Sequence, residues 1–119
     1  MTASTDERIQ RYYSINPKQF SVLTSLIISQ EVPLWEESPI LSLEIILKPN
    51  EESGKSLRLK FIGVRNLVVK QPPFSIFTVP LLEISSIKEM QWETAKYVVK
   101  EPEEESISFT CQEFDFVLL

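Results

Sequence analysis

Histidine is absent from the 119 residues, and cysteine occurs once, at Cys111. Without histidine the chain has no imidazole base, so neither a Ser–His–Asp triad nor a Cys–His pair can form. The same absence removes histidine as a metal ligand, and one thiol provides neither a disulfide framework nor a thiolate zinc cluster. We therefore expect no catalytic residues, no metal site and no cofactor.

Long hydrophobic runs are also missing. Runs such as Leu26–Ile28 are far shorter than the roughly 18 residues that a membrane-spanning helix needs. The stretch Met1–Arg11 is polar and carries charges of both signs, unlike a signal peptide. A lone thiol fits a reducing compartment. These features predict a cytoplasmic protein with no membrane partner.

Positive charge is in deficit, with 12 Lys and Arg against 17 Asp and Glu, which gives a formal net charge of −5 at pH 7. This balance argues against general nucleic-acid binding, because contacts to phosphates need a basic surface. The length and the 43% of hydrophobic residues are typical of one globular domain. We expect a single β-rich domain over residues 1–119 whose partner is another protein or a second copy of the chain.

Alternating apolar residues predict β-strands along most of the chain. The predicted strands are Phe20–Ser29, Leu41–Lys48, Leu57–Ile62, Leu67–Val69, Leu81–Ile87, Ala95–Lys100 and the segment from Ile107 onward. A short helix over Thr5–Tyr13 precedes them, with Thr5 as a candidate N-cap and Asn16-Pro17 as its end. Glycine occurs only twice, so we expect the turns to depend on Pro, Asn and Ser rather than on residues with positive φ.

The C-terminal segment contains a conflict of period. Ile107, Phe109 and Cys111 occupy odd positions, whereas Phe114 and Phe116 occupy even ones, so one regular strand cannot place both sets on the same face. A bulge or bend near Gln112-Glu113 resolves the conflict and lets a strand pass from one sheet to another. We therefore predict a mostly β fold, an antiparallel β-sandwich or partly open barrel with one short N-terminal helix.

Three groups of chemically interesting residues have structural interpretations that we favour. The alternation in the last strand points Cys111 into the core, where free cysteine is commonly found. The acidic run Glu101–Glu105 is more typical of a solvated hairpin tip than of a cation site, because it lacks the Asp, Asn and Gly of calcium loops. Glu113 and Asp115 could act as paired carboxylates, yet we expect them to face solvent on a strand.

Two further groups are candidates for an interface. The segment Lys55–Lys70 carries five cations and no acid, and Arg58 and Lys60 share the outward face of a strand. They either form a patch for an anionic partner or pair with acids such as Glu44 on the neighbouring strand. The aromatic residues Trp35, Phe74 and Phe77 lie outside clear alternation, and they either anchor a protein interface or close the end of the core.

Two stretches carry a resemblance to known proteins: LRLKFIGVRN at Leu57–Asn66 and SISFTCQEFDF at Ser106–Phe116. The sequence resembles small bacterial, often cyanobacterial, β-rich proteins that share a Phe-x-Gly-Val-x-Asn-Leu turn and a closing Ile-Ser-Phe-x-Cys strand. Some proteins of this type are grouped with the immunity proteins of bacterial toxin systems. The resemblance implies a compact β fold and carries over no functional residues.

These observations favour a non-enzymatic protein-interaction module, with an immunity-type binding protein as its concrete form. An acidic surface would suit a basic partner and would steer association at low salt. One alternative is a β domain that binds a small ligand in a cavity between sheets. The second alternative is an enzyme that uses carboxylates.

Overall fold

The structure is a computed structural model and describes residues 7–32, 39–51, 54–70, 79, 81–87, 96–103 and 105–119. These residues form a helix, a 3₁₀ turn and eight strands: α1 (Glu7–Ser14), the 3₁₀ turn (Pro17–Gln19), β1 (Phe20–Glu31), β2 (Ile40–Pro49), β3 (Leu57–Ile62), β4 (Arg65–Val69), β5 (Glu83–Ser86), β6 (Tyr97–Lys100), β7 (Ile107–Cys111) and β8 (Glu113–Leu118). No helix in the described part is long and apolar enough to cross a membrane.

The strands form two antiparallel sheets of four strands each. Sheet I has the order β1-β2-β3-β8, and sheet II has the order β4-β7-β6-β5. The inward residues of the two sheets form one buried cluster between them. The fold is therefore a β-sandwich with one short N-terminal helix, which confirms the predicted mostly β class.

The two sheets are joined at a corner where two paired strands bend together. Strand β3 passes into β4 at Gly63-Val64, and β7 passes into β8 at Gln112. The Gln112 N–H donates to the Ile62 carbonyl at 2.9 Å, so the hydrogen-bonded pairing continues through the bend. The bend predicted near Gln112-Glu113 is confirmed, since Cys111 and Phe114 are both buried although they lie three positions apart.

The core follows the alternation of the central strands. In sheet I the buried residues include Leu43, Ile45 and Leu47 on β2 and Leu57, Leu59 and Phe61 on β3. In sheet II they include Val99, Ile107, Phe109 and Cys111. The rings of Phe61 and Phe109 meet across the sandwich with their centroids 4.8 Å apart in an edge-to-face arrangement. Edge-to-face contacts of this kind stabilise aromatic cores beyond their buried area.

Helix α1 closes the side of the sandwich between β8 and β5. Tyr12 is fully buried, its hydroxyl donates to the Leu82 carbonyl at 2.7 Å, and its ring packs edge-on against Phe114 and Phe116. The Tyr13 hydroxyl bonds the backbone of Ile84 on β5, accepting from its N–H at 3.1 Å and donating to its carbonyl at 3.4 Å. The two tyrosines thus connect the helix to both sheets.

The turn chemistry differs from the prediction. Among the residues that the structure describes, three adopt positive φ besides Gly63, namely Asn16 (57°), Asn66 (57°) and Glu105 (55°). Asn tolerates the left-handed region because its short polar side chain can bond locally. The helix ends before Asn16 as predicted, whereas the proposed cap Thr5 lies outside the described residues.

Candidate binding surface

The outer face of sheet I is formed by the side chains that point away from the core on β2, β3 and β8. The strand register arranges them in three rows: Ile46, Arg58 and Val117; Glu44, Lys60 and Asp115; Ser42, Ile62 and Glu113. Ile62 and Val117 are 38% and 42% exposed, so this face presents aliphatic groups among charges. We use "the outer face" below for these nine residues.

Arg58 pairs with a carboxylate on the neighbouring strand. Its Nε lies 3.8 Å from Oε1 of Glu44, and both side chains remain partly exposed. This contact confirms cross-strand pairing with Glu44, one of the two interpretations of the basic segment. An exposed pair of this kind contributes only about 0–1 kcal/mol to stability, so the geometry costs little to break when a partner binds.

Lys60 lies between two carboxylate-bearing positions, Glu44 on β2 and Asp115 on β8. Its side chain is exposed, and its ammonium group makes no ion pair within 4.0 Å with any residue that the structure describes. The lysine therefore presents a hydrated cation near the centre of a row of opposite charges. Such a group can exchange its water for a carboxylate of a partner.

Helix α1 adds two arginines to the border of this surface. Arg8 and Arg11 line a groove beside β8 together with Lys60, Glu113 and Asp115. The sequence prediction missed these arginines. The sequence holds a usable indication, because Arg8 and Arg11 are three residues apart and so share one helix face, as do the inward-facing Ile9 and Tyr12.

The aromatic candidates Trp35, Phe74 and Phe77 lie outside the described residues, so their role stays a prediction. The first described residue after Phe74 and Phe77 is Val79. It is fully buried, and its N–H donates to the Ser21 carbonyl on β1 at 2.6 Å. This residue fixes where the chain enters the sandwich, next to the start of β1.

Two predictions about single residues are confirmed. Cys111 is fully buried, and burial raises the pKa of its thiol to about 12, so the thiol stays protonated at neutral pH. Glu113 and Asp115 are exposed on the outer face, as the solvent-facing interpretation requires.

The acidic turn differs from the prediction. Glu101 is fully buried rather than solvated, and its carboxylate accepts from the Glu103 N–H at 2.6 Å, the Ser106 N–H at 3.3 Å and the Ser106 hydroxyl at 3.0 Å. A carboxylate can accept several hydrogen bonds at once, so the Glu101 side chain serves as the acceptor for backbone and side-chain donors of this turn. Glu103 and Glu105 do face solvent. In the described part of the chain, no three acidic or thiol groups are placed to hold a metal ion.

These features define the class of protein as a small two-sheet sandwich with a packed interior and a mixed apolar and charged face exposed to solvent. The comparison with known families gives the family itself. The family model of immunity protein PIM8 matches residues 4–117, so the chain belongs to this family. This match confirms the resemblance to immunity proteins. No curated protein and no solved structure matches the chain.

Proposed function

We propose that this protein is a non-enzymatic immunity protein that binds a toxin protein and neutralises it by occupying its surface. The observation that carries the proposal is the family match, which covers nearly the whole chain rather than one motif. The toxin is thus the protein partner expected from the sequence. A lone, buried thiol supports the further proposal that binding takes place in the reducing cytoplasm.

We place the toxin contact on the outer face of sheet I, around Arg58 and Lys60. Interfaces are enriched in arginine and in apolar side chains surrounded by polar groups, and this face offers both. Ile62 and Val117 supply exposed aliphatic surface beside the two cations. The weak Arg58–Glu44 pair can exchange partners at small cost.

Charge supports the choice of a protein partner with a basic surface. The net charge of −5 steers a basic protein toward this chain over distances of about a Debye length. On the outer face itself, three carboxylates alternate with two cations, so a partner must carry a complementary pattern of both signs. Mixed patterns of this kind favour specificity over raw affinity.

The interior gives less support to the small-ligand alternative. Aromatic rings fill the space between the sheets: Phe114 stacks on Phe61 and meets Tyr97 edge-on, with centroid distances of 6.3 Å and 4.9 Å. A ligand cavity between the sheets would have to displace these contacts. The packed interior therefore favours a function at the surface.

The proposal is tested with each candidate toxin encoded near the gene, produced in cells with and without this protein. We expect the protein to rescue growth and to form a stoichiometric complex on size-exclusion chromatography. Arg58→Ala and Lys60→Ala should each weaken the complex at least tenfold, because truncation of a central interface residue typically costs about 1–2 kcal/mol or more. Lys100→Ala, which removes an exposed lysine from sheet II, is the matched control and should bind normally.

Failure to rescue growth from any of the candidate toxins, or unchanged binding by both outer-face variants, would contradict the proposal in separate parts. The first result speaks against the immunity function, and the second speaks against the location of the interface. The non-enzymatic part is tested with generic ester, phosphate and glycoside substrates. Turnover that disappears in Glu113→Gln or Asp115→Asn would show that the exposed carboxylates are catalytic.

A further inference from the structure

Residues Ser25–Gln30 form an uncharged segment of β1, which is an edge strand among the strands that the structure describes. Twelve consecutive residues, Gln19 to Gln30, contain no Asp, Glu, Lys, Arg or Pro. From Ser25 to Glu31 the strand pairs with β2 in an unbroken register, and Ile27 and Ile28 are 48% and 51% exposed. An exposed, regular and uncharged edge is a template for another strand, because its outward N–H and C=O groups lack partners.

The first half of β1 is protected in a way that the second half is not. Register shifts interrupt the strand between Phe20 and Val22 and again between Leu23 and Ser25. The Val79 N–H also occupies the Ser21 carbonyl. In the described part of the chain, no corresponding backbone contact outside the β2 ladder reaches Ser25–Glu31.

The other three sheet edges each carry a recognised protection. Strand β8 lies beside α1 and bears Glu113 and Asp115. Strand β5 is four residues long, and the Tyr13 hydroxyl binds its Ile84 backbone. Strand β4 is five residues long, contains Arg65 and has a register shift. Short length, charge, irregularity and covering elements are the devices that keep edges from pairing, so the exception at β1 is specific.

We propose that Ser25–Gln30 of β1 pairs antiparallel with the same segment of a second copy, so that two sheets I join into one continuous eight-stranded sheet. A two-fold axis through the strand pair makes the pairing antiparallel and self-complementary. Because the segment has no charge, no like charges meet across that axis. Ile27 and Ile28, which lie on opposite faces of β1, are each partly covered by the partner strand.

This pairing is independent of the proposed toxin binding. Strand β2 separates β1 from Arg58 and Lys60 on β3, so the outer faces of both copies remain accessible. A contact made by one strand from each copy is smaller than a standard interface of about 1,600 Å². We therefore expect a reversible dimer with a dissociation constant on the order of 10–100 μM.

The test is sedimentation velocity of the full chain from about 1 μM to about 1 mM. The unmodified protein should shift from monomer to dimer over this range. Ile27→Lys and Ile28→Lys should each weaken dimerisation at least tenfold, because pairing would bring introduced lysines close together. Ile62→Lys is the control. Ile62 is 38% exposed, but it lies on β3, a central strand of sheet I that is not an edge. It should dimerise like the unmodified protein.

Amide hydrogen exchange at the two ends of the concentration range locates the contact. Slower exchange in Ser25–Gln30 at high concentration supports the proposal. A protein that stays monomeric throughout, a dimer that both lysine variants leave unchanged, or protection that appears at β4 or β8 instead would overturn it. Toxin binding by Ile28→Lys reports separately on the proposed function, which this substitution should leave intact, because Ile28 pairs with the inward-facing Leu43 and points away from the outer face.

Discussion

A buried carboxylate in a solvent-rich segment is the main surprise among the individual residues. Four of the five residues Glu101 to Glu105 are acidic, and such runs are usually solvated. Composition does not predict that the side chain of Glu101 points inward, because its burial depends on hydrogen-bond donors elsewhere in the turn. Ser106, five residues further on, supplies both its N–H and its hydroxyl to Glu101.

Glu101→Gln should destabilise the protein by about 1–3 kcal/mol. Whichever carboxylate oxygen is replaced by an NH₂ group, that group faces a backbone N–H, of Glu103 or of Ser106, which then loses its acceptor. Urea denaturation at neutral pH measures the change. Glu103→Gln removes an acid that is exposed and should stay within about 0.5 kcal/mol of the unmodified protein. Equal effects of the two substitutions would contradict the role assigned to Glu101.

Among the elements, the paired bend at the corner was half predictable. The change of parity between Cys111 and Phe114 located the bend of one strand. A turn at Gly63 between the strands Leu57–Ile62 and Leu67–Val69 was also predicted, but not its position beside Gln112, because the close approach that requires glycine there is made by the other strand. Gly63 has a φ of 72°, and a Cβ at this position would lie 2.8 Å from the Gln112 side chain.

Gly63→Ala should destabilise the protein by more than about 1 kcal/mol, since both the backbone conformation and the contact with Gln112 oppose a side chain. Adding Gln112→Ala should restore the stability that is lost through the contact with the Gln112 side chain. The stability that is lost through the positive φ should not be restored. Gly54→Ala is the comparison, because its Cβ meets only the Pro49 ring at 3.0–3.1 Å. Thermal and urea unfolding of Gly63→Ala, Gln112→Ala and the double variant measure the coupling; full additivity would show that the Gln112 side chain does not oppose a Cβ at position 63.

Helix α1 was predicted as a short helix, but the sequence did not predict that it closes the side of the sandwich between β8 and β5. Two tyrosines in succession give no clear amphipathic period, and their partners Leu82 and Ile84 lie about seventy positions away in the chain. Only the folded structure brings Tyr12 between Phe114, Phe116 and the Leu82 carbonyl.

Tyr12→Ala should destabilise the protein by about 3–5 kcal/mol, which is the usual cost of removing a buried ring. Tyr12→Phe keeps the ring but leaves the Leu82 carbonyl without its donor, so a cost of about 1–2 kcal/mol is expected. Equilibrium urea unfolding separates the two contributions. If both variants were as stable as the unmodified protein, the packing of α1 between β8 and β5 would not stabilise the sandwich.

At the scale of the whole molecule, period and composition predicted the class of fold and most strand positions. The order of the strands was beyond the sequence, because pairs such as Leu59 with Phe116 are set by contacts across nearly half the chain. The outer face was predictable for Arg58 and Lys60, which alternate with core residues. Arg8 and Arg11 join it only through the docking of α1.

The stability of the whole molecule should fall at alkaline pH. Burial raises the pKa of Cys111 from 9.0 to about 12, and it raises the pKa of Tyr12 as well. The folded state therefore retains protons that the unfolded state releases, so the stabilising contribution is complete below about pH 9 and is lost as the pH rises toward 12. The urea midpoint should decline over this window.

Cys111→Ala should show a shallower decline between about pH 9 and about pH 11, whatever its stability at neutral pH. The same burial should make the thiol react slowly with a thiol reagent in the folded protein and rapidly in urea. Fast labelling of the folded protein, or a pH dependence identical to that of the unmodified protein, would contradict the buried thiol as its cause.

The central position of β7 has a consequence for how the protein is made. Strand β4 has β7 as its ladder partner among the described strands, and β6 lies on the other side of β7. On the ribosome, β4 to β6 emerge before the strand that joins them, so sheet II cannot assemble until synthesis has passed Cys111. Sheet I receives its last strand immediately afterwards, because β8 follows β7 directly. Both sheets are thus completed almost together once β8 has been synthesised, and a nascent chain that stalls earlier has neither sheet complete.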